Sequence, residues 1–376
     1  MAGIYIHIPF CKKRCIYCDF YSTTDNRLTE SYIGALENEL SARIDEIGTD
    51  NVSTIYIGGG TPSQLTIQQL SRLITSIKNI INFEKVLEFT IEVNPDDVNL
   101  EYMQACRTLG INRVSMGIQS FVDAELEIIN RRHNSAQAVE AVKIMRSAGF
   151  ENISIDLIYG LPLQTLDSWR YSVAEAIKLD VPHISCYNLS YEEDTLLYKK
   201  RESGEIIECS EEDCITMYEV LTENLKEARY LHYEISNYCK PDSFSRHNSN
   251  YWNLTPYLGL GASAHSYDGK VRRYNPDSIH EYMKKVGECG IAYEEDDETE
   301  WEKYNEYIMI GLRTMWGVSL SNLKKMFSNE LYNHFIAESR RFINSGELKE
   351  ENGAVVLTEK GIMLTDYVVR SLMFVP

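Results

Sequence analysis

Cys11, Cys15 and Cys18 are the side chains whose types and spacing speak most directly of chemistry. They stand as C-x3-C-x2-C within Tyr5-Ile-His-Ile-Pro-Phe-Cys11-Lys-Lys-Arg-Cys15-Ile-Tyr17-Cys18-Asp-Phe20-Tyr21. Three thiols this close cannot all pair with one another as disulfides. With no secretory signal before them, close-set thiols read as a metal or cluster site. A structural zinc wants four protein ligands, and Phe20 stands where a further cysteine would supply the fourth. A four-iron–four-sulfur (4Fe-4S) cluster held by three thiolates instead keeps one iron free of protein sulfur, open to a substrate or cofactor. Three ligands are then a functional number.

The elements that must carry this loop follow from periodicity. Short β-rich runs are expected at 3–8, 54–57, 87–93, 113–116, 153–158 and 183–187, with helical runs at 30–47, 67–81, 100–109, 136–148, 166–179 and 211–228 between and after them. Strand and helix alternating six times predict parallel strands with right-handed crossovers. The strands themselves alternate: Ile4, Ile6 and Ile8 oppose Tyr5 and His7, Phe89 and Ile91 oppose Glu88, Thr90 and Glu92, and Ile155 and Leu157 oppose Ser154 and Asp156. One sheet face therefore packs on helices while the other is polar. A closed eight-stranded barrel fills its interior with side chains, so six units with a polar inner face predict an α/β fold, a partial (β/α)6 barrel with room inside.

Ligands of parallel α/β sheets bind at the C-terminal ends of the strands. The cysteines follow the first strand, Gly58-Gly59-Gly60-Thr61-Pro62 the second, and Gly117-Ile-Gln119 the fourth. Glu92-Val-Asn-Pro95 closes the third strand, Asp156 with Tyr159-Gly-Leu-Pro162 the fifth, and Asn188-Leu-Ser190 the sixth. The glycines let backbone approach a ligand closely, although the same run also suits a tight turn with Thr61 near a helix start. An unpaired carboxylate on the inner face is costly. Glu92 and Asp156 would be satisfied by a cation or by hydroxyls, or by pairing with Arg131 or His7. Arg132 reads as a solvated helix end, and His7 as a satisfied lumen histidine.

The cysteine spacing, Tyr17 before the last cysteine and the flanking Tyr5-Ile-His-Ile-Pro-Phe and Asp-Phe-Tyr21 resemble the cluster motif of the radical S-adenosylmethionine (SAM) superfamily. Within it they are similar to the HemN/HemW family, which contains oxygen-independent coproporphyrinogen III dehydrogenases and haem chaperones. The resemblance implies a 4Fe-4S cluster on Cys11, Cys15 and Cys18, with SAM on its open iron and cleaved by one electron to an adenosyl radical. It maps SAM contacts onto Tyr5, Tyr17, Gly59, Gly60, Thr61, Glu92, Gln119, Arg131 and Asp156. It also implies a reductant protein such as flavodoxin or ferredoxin.

Residues 1–230 make the barrel in this reading, and 231–295 lose its rhythm and form a connecting segment. That segment holds His247-Asn248-x-x-Tyr251-Trp252. Histidine ligates haem iron, and tyrosine and tryptophan offer flat apolar faces. Alone the motif reads as a packed turn. In the resemblance it implies haem bound by His247, Asn248, Tyr251 and Trp252. An acidic run at 294–302 looks like a solvated linker. Helices and a hairpin turning at Asn352-Gly353 then resemble the winged-helix-like C-terminal domain of the same family at 296–376, expected to cover the barrel mouth or bind a partner.

The chain has 376 residues, 44% hydrophobic, and a formal net charge of -19. That charge repels phosphate backbones, so nucleic acid is not an expected partner. No apolar run is long enough to span a bilayer, and no targeting segment is read at the N-terminus. The expected location is cytoplasmic, peripheral to a membrane only through an acceptor. Cys106, Cys186, Cys209, Cys214, Cys239 and Cys289 read as reduced structural thiols. A homodimer is compatible with the sequence but not dictated by it.

The expected function is a haem chaperone that binds haem and delivers it to haem-acceptor proteins. The alternative is a coproporphyrinogen III dehydrogenase that oxidatively decarboxylates two propionates. Phe20 in place of a fourth cysteine, the short run before Cys11 and the His247 motif favour the first. An electron-carrying ferredoxin-like protein or a zinc module fits the barrel rhythm poorly.

Overall fold

Alternation and helix period translate into units of strand and helix. A computed structural model describes residues 1–376. Its strands β1 (Ala2–Ile8), β2 (Val52–Gly59), β3 (Glu88–Val93), β4 (Arg113–Gln119), β5 (Asn152–Tyr159) and β6 (His183–Asn188) pair in sequence order, all parallel. Between them run α1 (Thr29–Arg43), α2 (Ile67–Ile80), α3 (Leu100–Thr108), α4 (Asp123–Ile128), α5 (Ser135–Ser147) and α6 (Leu166–Lys178). After β6 come α7 (Leu196–Glu202) and α8 (Glu211–Glu227).

Local signals fix the helix starts. Thr66, Asn134 and Thr165 each accept from the N3 backbone amide while the N3 side chain returns the bond, closing capping boxes on α2, α5 and α6. The isoleucines at 4, 6 and 8 are fully buried against the helices, as are Phe89, Ile91, Ile155 and Leu157. The opposite faces carry the polar residues, so a half-barrel with a polar lumen is formed, as the alternation predicts.

The structure departs from the expected connector at 231–295. Tyr257–Leu260 is a seventh parallel strand, paired to β1 on the edge away from β2. His265–Tyr267, Arg272–Tyr274 and Glu294–Asp296 extend that edge in antiparallel fashion. Both edges of β1 are therefore occupied, and the sheet does not close through it. A four-residue strand leaves almost no periodic trace, and its pairing with β1 is long-range. The sheet is held to α1 by a buried network. Glu39 accepts from Arg43 (2.7 Å), Asn275 (2.8 Å), Tyr282 (2.7 Å) and the Gly261 amide (2.9 Å).

The chain forms two compact units: residues 1–230 with 239–296, and residues 231–238 with 297–376. The second has its own core of Tyr304, Ile308, Leu312, Phe335, Phe342, Val355 and Leu372. There the helices Glu300–Leu312, Leu320–Met326 and Asn329–Ser345 precede the hairpin Leu348–Glu351/Ala354–Leu357. Asn352 and Gly353 at its turn both have positive φ (53° and 78°), as a type I′ turn demands. No helix is long and apolar enough to cross a membrane.

Candidate cluster and cofactor site

The cysteine loop leaves the C-terminal end of β1 and is pinned by its one apolar residue. Ile16 is buried with Ile129, Ile158, Leu161, Leu189 and Leu197. The Ile16 amide donates to Ile129 O (3.3 Å), and the Leu197 amide to Ile16 O (2.8 Å). On either side of that anchor the thiols receive polar neighbours. Thr61 Oγ1 donates to Cys11 Sγ (3.4 Å), and Arg131 Nη1 to Cys15 Sγ (3.5 Å). Such donors stabilise thiolate and tune a bound cluster. Burial pushes the Cys11 thiol up and the Cys18 thiol to about 11, so loading a metal must release protons.

The glycines explain why the loop fits. Gly60 donates its amide to Ile8 O (2.8 Å), and a Cβ there would lie 2.8 Å from the Pro9 carbonyl carbon and 3.0 Å from Cys11 Sγ. Gly59 has φ +110°, where side chains are strained, and a Cβ would lie 2.7 Å from the His7 ring. The cradle therefore belongs to the cysteine loop as much as to any ligand. No three His, Cys, Asp or Glu side chains converge closely enough to share one ion. A cubane asks less of three thiols, because each takes a separate iron. The donor set and its cradle fit a 4Fe-4S cluster on Cys11, Cys15 and Cys18.

Beside the cysteines, the lumen presents incompletely paired groups. Glu92 Oε1 accepts from Tyr56 Oη (2.7 Å), and Oε2 from the Gly59 amide (3.1 Å). Loss of water, reinforced by Asp156, pushes Glu92 up to about 7 against the pull of the Tyr56 bond. Loss of water likewise raises Asp156 to about 6, although Ser185, Ser115 and the nearby Arg113 and Arg131 favour its charged form. Arg131 binds Asn94 Oδ1 (3.0 Å) and the Gly117 carbonyl rather than either carboxylate, and its Nε is buried without a partner. Two carboxylates with no cation bonded to them and an orphaned guanidinium N–H suit a ligand that carries both a positive centre and an acceptor. A sulfonium amino acid is such a ligand.

Gln119 reaches this group by a bulge. The β4–β5 register slips between Gly117 and Gln119, and Gln119 takes φ 70°, which turns its amide back over Gly117. Tyr5 Oη bonds His7 Nδ1 (3.0 Å), and His7 Nε2 bonds Tyr21 O (2.9 Å), so His7 is a satisfied lumen histidine. Tyr17 lies half-buried over the apolar anchor of the loop, beside Cys15 and Arg131.

The His247-Asn248-x-x-Tyr251-Trp252 motif lies elsewhere. His247 belongs to the short helix Arg246–Trp252, at the N-terminal end of the lumen. It is buried, with Nδ1 bonded to Thr54 Oγ1 (2.9 Å) and Nε2 to Tyr251 Oη (2.9 Å). A Cβ on Gly3, at the start of β1, would lie 3.1 Å from its ring. The cysteines follow the other end of β1, roughly 15 Å of strand away. Tyr251 is clasped edge-on by Tyr257, while Asn248 and Trp252 are half-buried. Both ring nitrogens of His247 are thus engaged and its ring is buried, so the haem contacts expected at His247, Asn248, Tyr251 and Trp252 would require those bonds to be exchanged.

Some site residues escaped the sequence reading. Asp97 accepts from Lys12 (3.0 Å), Ser63 (3.0 Å), Gln64 (2.6 Å) and Arg132 (3.0 Å), tying the cysteine loop to the rim. Arg132 also pairs with Asp96 (2.8 Å) and is not a solvated helix end. The doubled acidic and basic pairs, Asp96-Asp97 and Arg131-Arg132, were the available signal. Cys209 and Cys214 do meet side by side, but burial raises both thiols, Cys214 to about 12, which makes them poor nucleophiles.

Comparison with known proteins agrees with this geometry. The Radical SAM superfamily model matches residues 5–176, and the HemN C-terminal domain model residues 299–364. The chain is 36% identical to the heme chaperone HemW of Bacillus subtilis (strain 168), over 97% of each chain. It is 34% identical to that of Lactococcus lactis subsp. lactis, over 98% of this chain and 96% of the relative. Its fold matches coproporphyrinogen III oxidase (HemN) from Escherichia coli with a TM-score of 0.84 at 23% identity, covering 99% of this chain and 90% of that one. Membership of this superfamily implies a 4Fe-4S cluster and SAM. The chain belongs to the HemN/HemW family of radical SAM proteins.

Proposed function

We propose that the chain is a haem chaperone, which binds haem and passes it to haem-acceptor proteins while holding a SAM-liganded cluster. The observation that carries this reading is the near full-length similarity to relatives named heme chaperone HemW, joined to a cysteine trio whose fourth position is Phe20, a side chain left 69% exposed. Cys11, Cys15 and Cys18 would hold the 4Fe-4S cluster, which when bound would supply an iron open to SAM and the electron for its cleavage. Thr61 and Arg131 donate to the ligating sulfurs. Glu92, Asp156, Gln119 and the free Arg131 Nε hold the polar groups of SAM, with Tyr5, Tyr17, Gly59 and Gly60 shaping the chamber. A flavodoxin or ferredoxin is the fitting reductant.

The deciding experiment is a haem titration of the anaerobically reconstituted protein beside a coproporphyrinogen III decarboxylation assay with SAM and a reductant. Stoichiometric haem binding, transfer to an apo-haemoprotein and no decarboxylated product are expected. Turnover of the porphyrinogen would instead make the chain a dehydrogenase, the reading that its fold alone also allows. Replacing Cys11, Cys15 or Cys18 by Ala is expected to remove the cluster's visible absorption. Full cluster content in all three variants would discard the ligand assignment.

A further inference from the structure

The motif around His247 is bonded at several points into the floor of the lumen. His247 is wedged between Gly3, Thr54 and Tyr56. Its ring stacks on Tyr56 with centroids 5.2 Å apart and planes 28° from parallel. The start of its helix is fastened by Glu88 at the base of β3, which accepts from the amides of Arg246 (2.9 Å) and His247 (2.9 Å). Asn250 adds a bond to Thr54 Oγ1 (3.1 Å). Tyr56 then reaches up the lumen and donates to Glu92, whose other oxygen holds the Gly59 amide. An unbroken series of contacts joins the floor of the half-barrel to the carboxylate and to the glycine run beside the cysteines.

We propose that His247 is a positioning residue of the SAM chamber: it fixes the Tyr56 ring, and through that ring the Glu92 carboxylate. This rests on the reading that SAM occupies the lumen. Chemistry favours the arrangement. A tyrosine ring on a strand keeps freedom about its side-chain torsions, and a hydrogen bond aimed from it is only as well directed as the ring is held. Stacking on a ring itself fixed at both nitrogens supplies that hold. Burial and Arg113 lower the His247 imidazole to about 3, so it stays neutral and offers one N–H and one lone pair to the Thr54 and Tyr251 hydroxyls. Glu92 is faced from the neighbouring strands by Tyr5, Tyr56, Arg113 and Asp156, and from the floor by Tyr251. Among these, Tyr56 and the Gly59 amide bond it directly.

The test is equilibrium SAM binding to the reconstituted full chain between pH 5.5 and 8.5, with haem affinity measured in parallel. Tyr56→Phe removes the bond that favours ionised Glu92. It is expected to weaken SAM about tenfold near neutrality and to move the pH at which binding rises upward by roughly one unit. His247→Ala is expected to move that profile the same way, and His247→Gln, which can still bond Thr54, less far. Because His247 acts through Tyr56, the double variant should be no worse than Tyr56→Phe alone. Haem affinity should be unchanged in all of them. An unmoved profile in His247→Ala, or losses that add in the double variant, would overturn the proposal, as would loss of haem alone. Failure of the unmodified protein to bind SAM would sink the underlying reading, and is told apart because no variant is involved.

Discussion

Glu39 on α1 and Glu92 on β3 are carboxylates of the same unit, both withdrawn from water, with opposite surroundings. Glu39 is fully buried, accepts four hydrogen bonds and faces Arg43, which is itself only 1% exposed. Arg43 in turn also binds Glu46, Ser266 Oγ and Gly259 O. Every charge there has a partner inside the protein. Glu92 has two donors, no cation bonded to it, and Asp156 nearby to repel its charge. A closed network of buried charges stitches elements together. An open one stores a demand that a ligand can meet, and perturbed carboxylates in a cleft mark functional sites on those grounds.

The contrast is most exposed to failure at its closed end. Removing one partner of a buried pair strands the other, at a cost of about 3–5 kcal/mol. Arg43→Met is expected to lose stability on that scale in denaturant unfolding. Combining it with Glu39→Leu should recover part of the loss, because no charge is then left alone. A single-variant loss under about 1 kcal/mol would deny that this network holds the seventh strand to α1.

At the open end the sign reverses, and pH reveals it. The folded pKa of Glu92 is raised to about 7. An acid raised on folding contributes stability that is fully present below its unfolded value, about 4.3, and lost as pH rises through the folded value. Asp156, raised to about 6, acts in the same direction. The share of stability contributed by Glu92 and Asp156 should therefore be lost between about pH 4 and 7 in the protein without SAM, against the buried histidines, whose lowered pKa values act in the opposite direction; Glu92→Gln should remove its part of that loss while weakening SAM binding at least tenfold. Thermal unfolding across this window checks it. Equal slopes for both proteins would show that Glu92 is not the stored demand.

Much of this contrast could be read in the sequence, though not its closed half. Glu92 and Asp156 stood out because a carboxylate on an alternating strand must face the polar side of the sheet, a purely local inference. The cysteines, the glycine run and the six units are local in the same sense. Glu39 and Arg43 are four apart on α1, a spacing that ordinarily means a solvated pair. What buries them is Tyr257–Leu260, more than 200 residues downstream, whose partners no local period encodes. His247 was legible as a residue type but not as a position: imidazole beside aromatics describes a haem pocket and a packed floor equally well. The bulge that turns Gln119 inward is likewise a property of register between strands.

The smallest expected effect tests whether burial, and not the mere presence of opposite charges, separates these networks. Arg72 on α2 forms ion pairs with Glu37 (2.5 Å) and Glu30 (3.3 Å), better in count than anything Glu92 has. Its side chain is 45% exposed. Water and salt already solvate such groups, and holding long side chains in one geometry costs entropy, so an exposed pair contributes about 0–1 kcal/mol. Arg72→Ala should therefore change unfolding free energy by about 0.5 kcal/mol, and by less in 0.5 M salt, where screening is nearly complete beyond ~5 Å. A loss as large as that of Arg43→Met would mean that charge pairing by itself stabilises this fold. The line drawn between Glu39 and Glu92 would then have to be drawn by partner count alone.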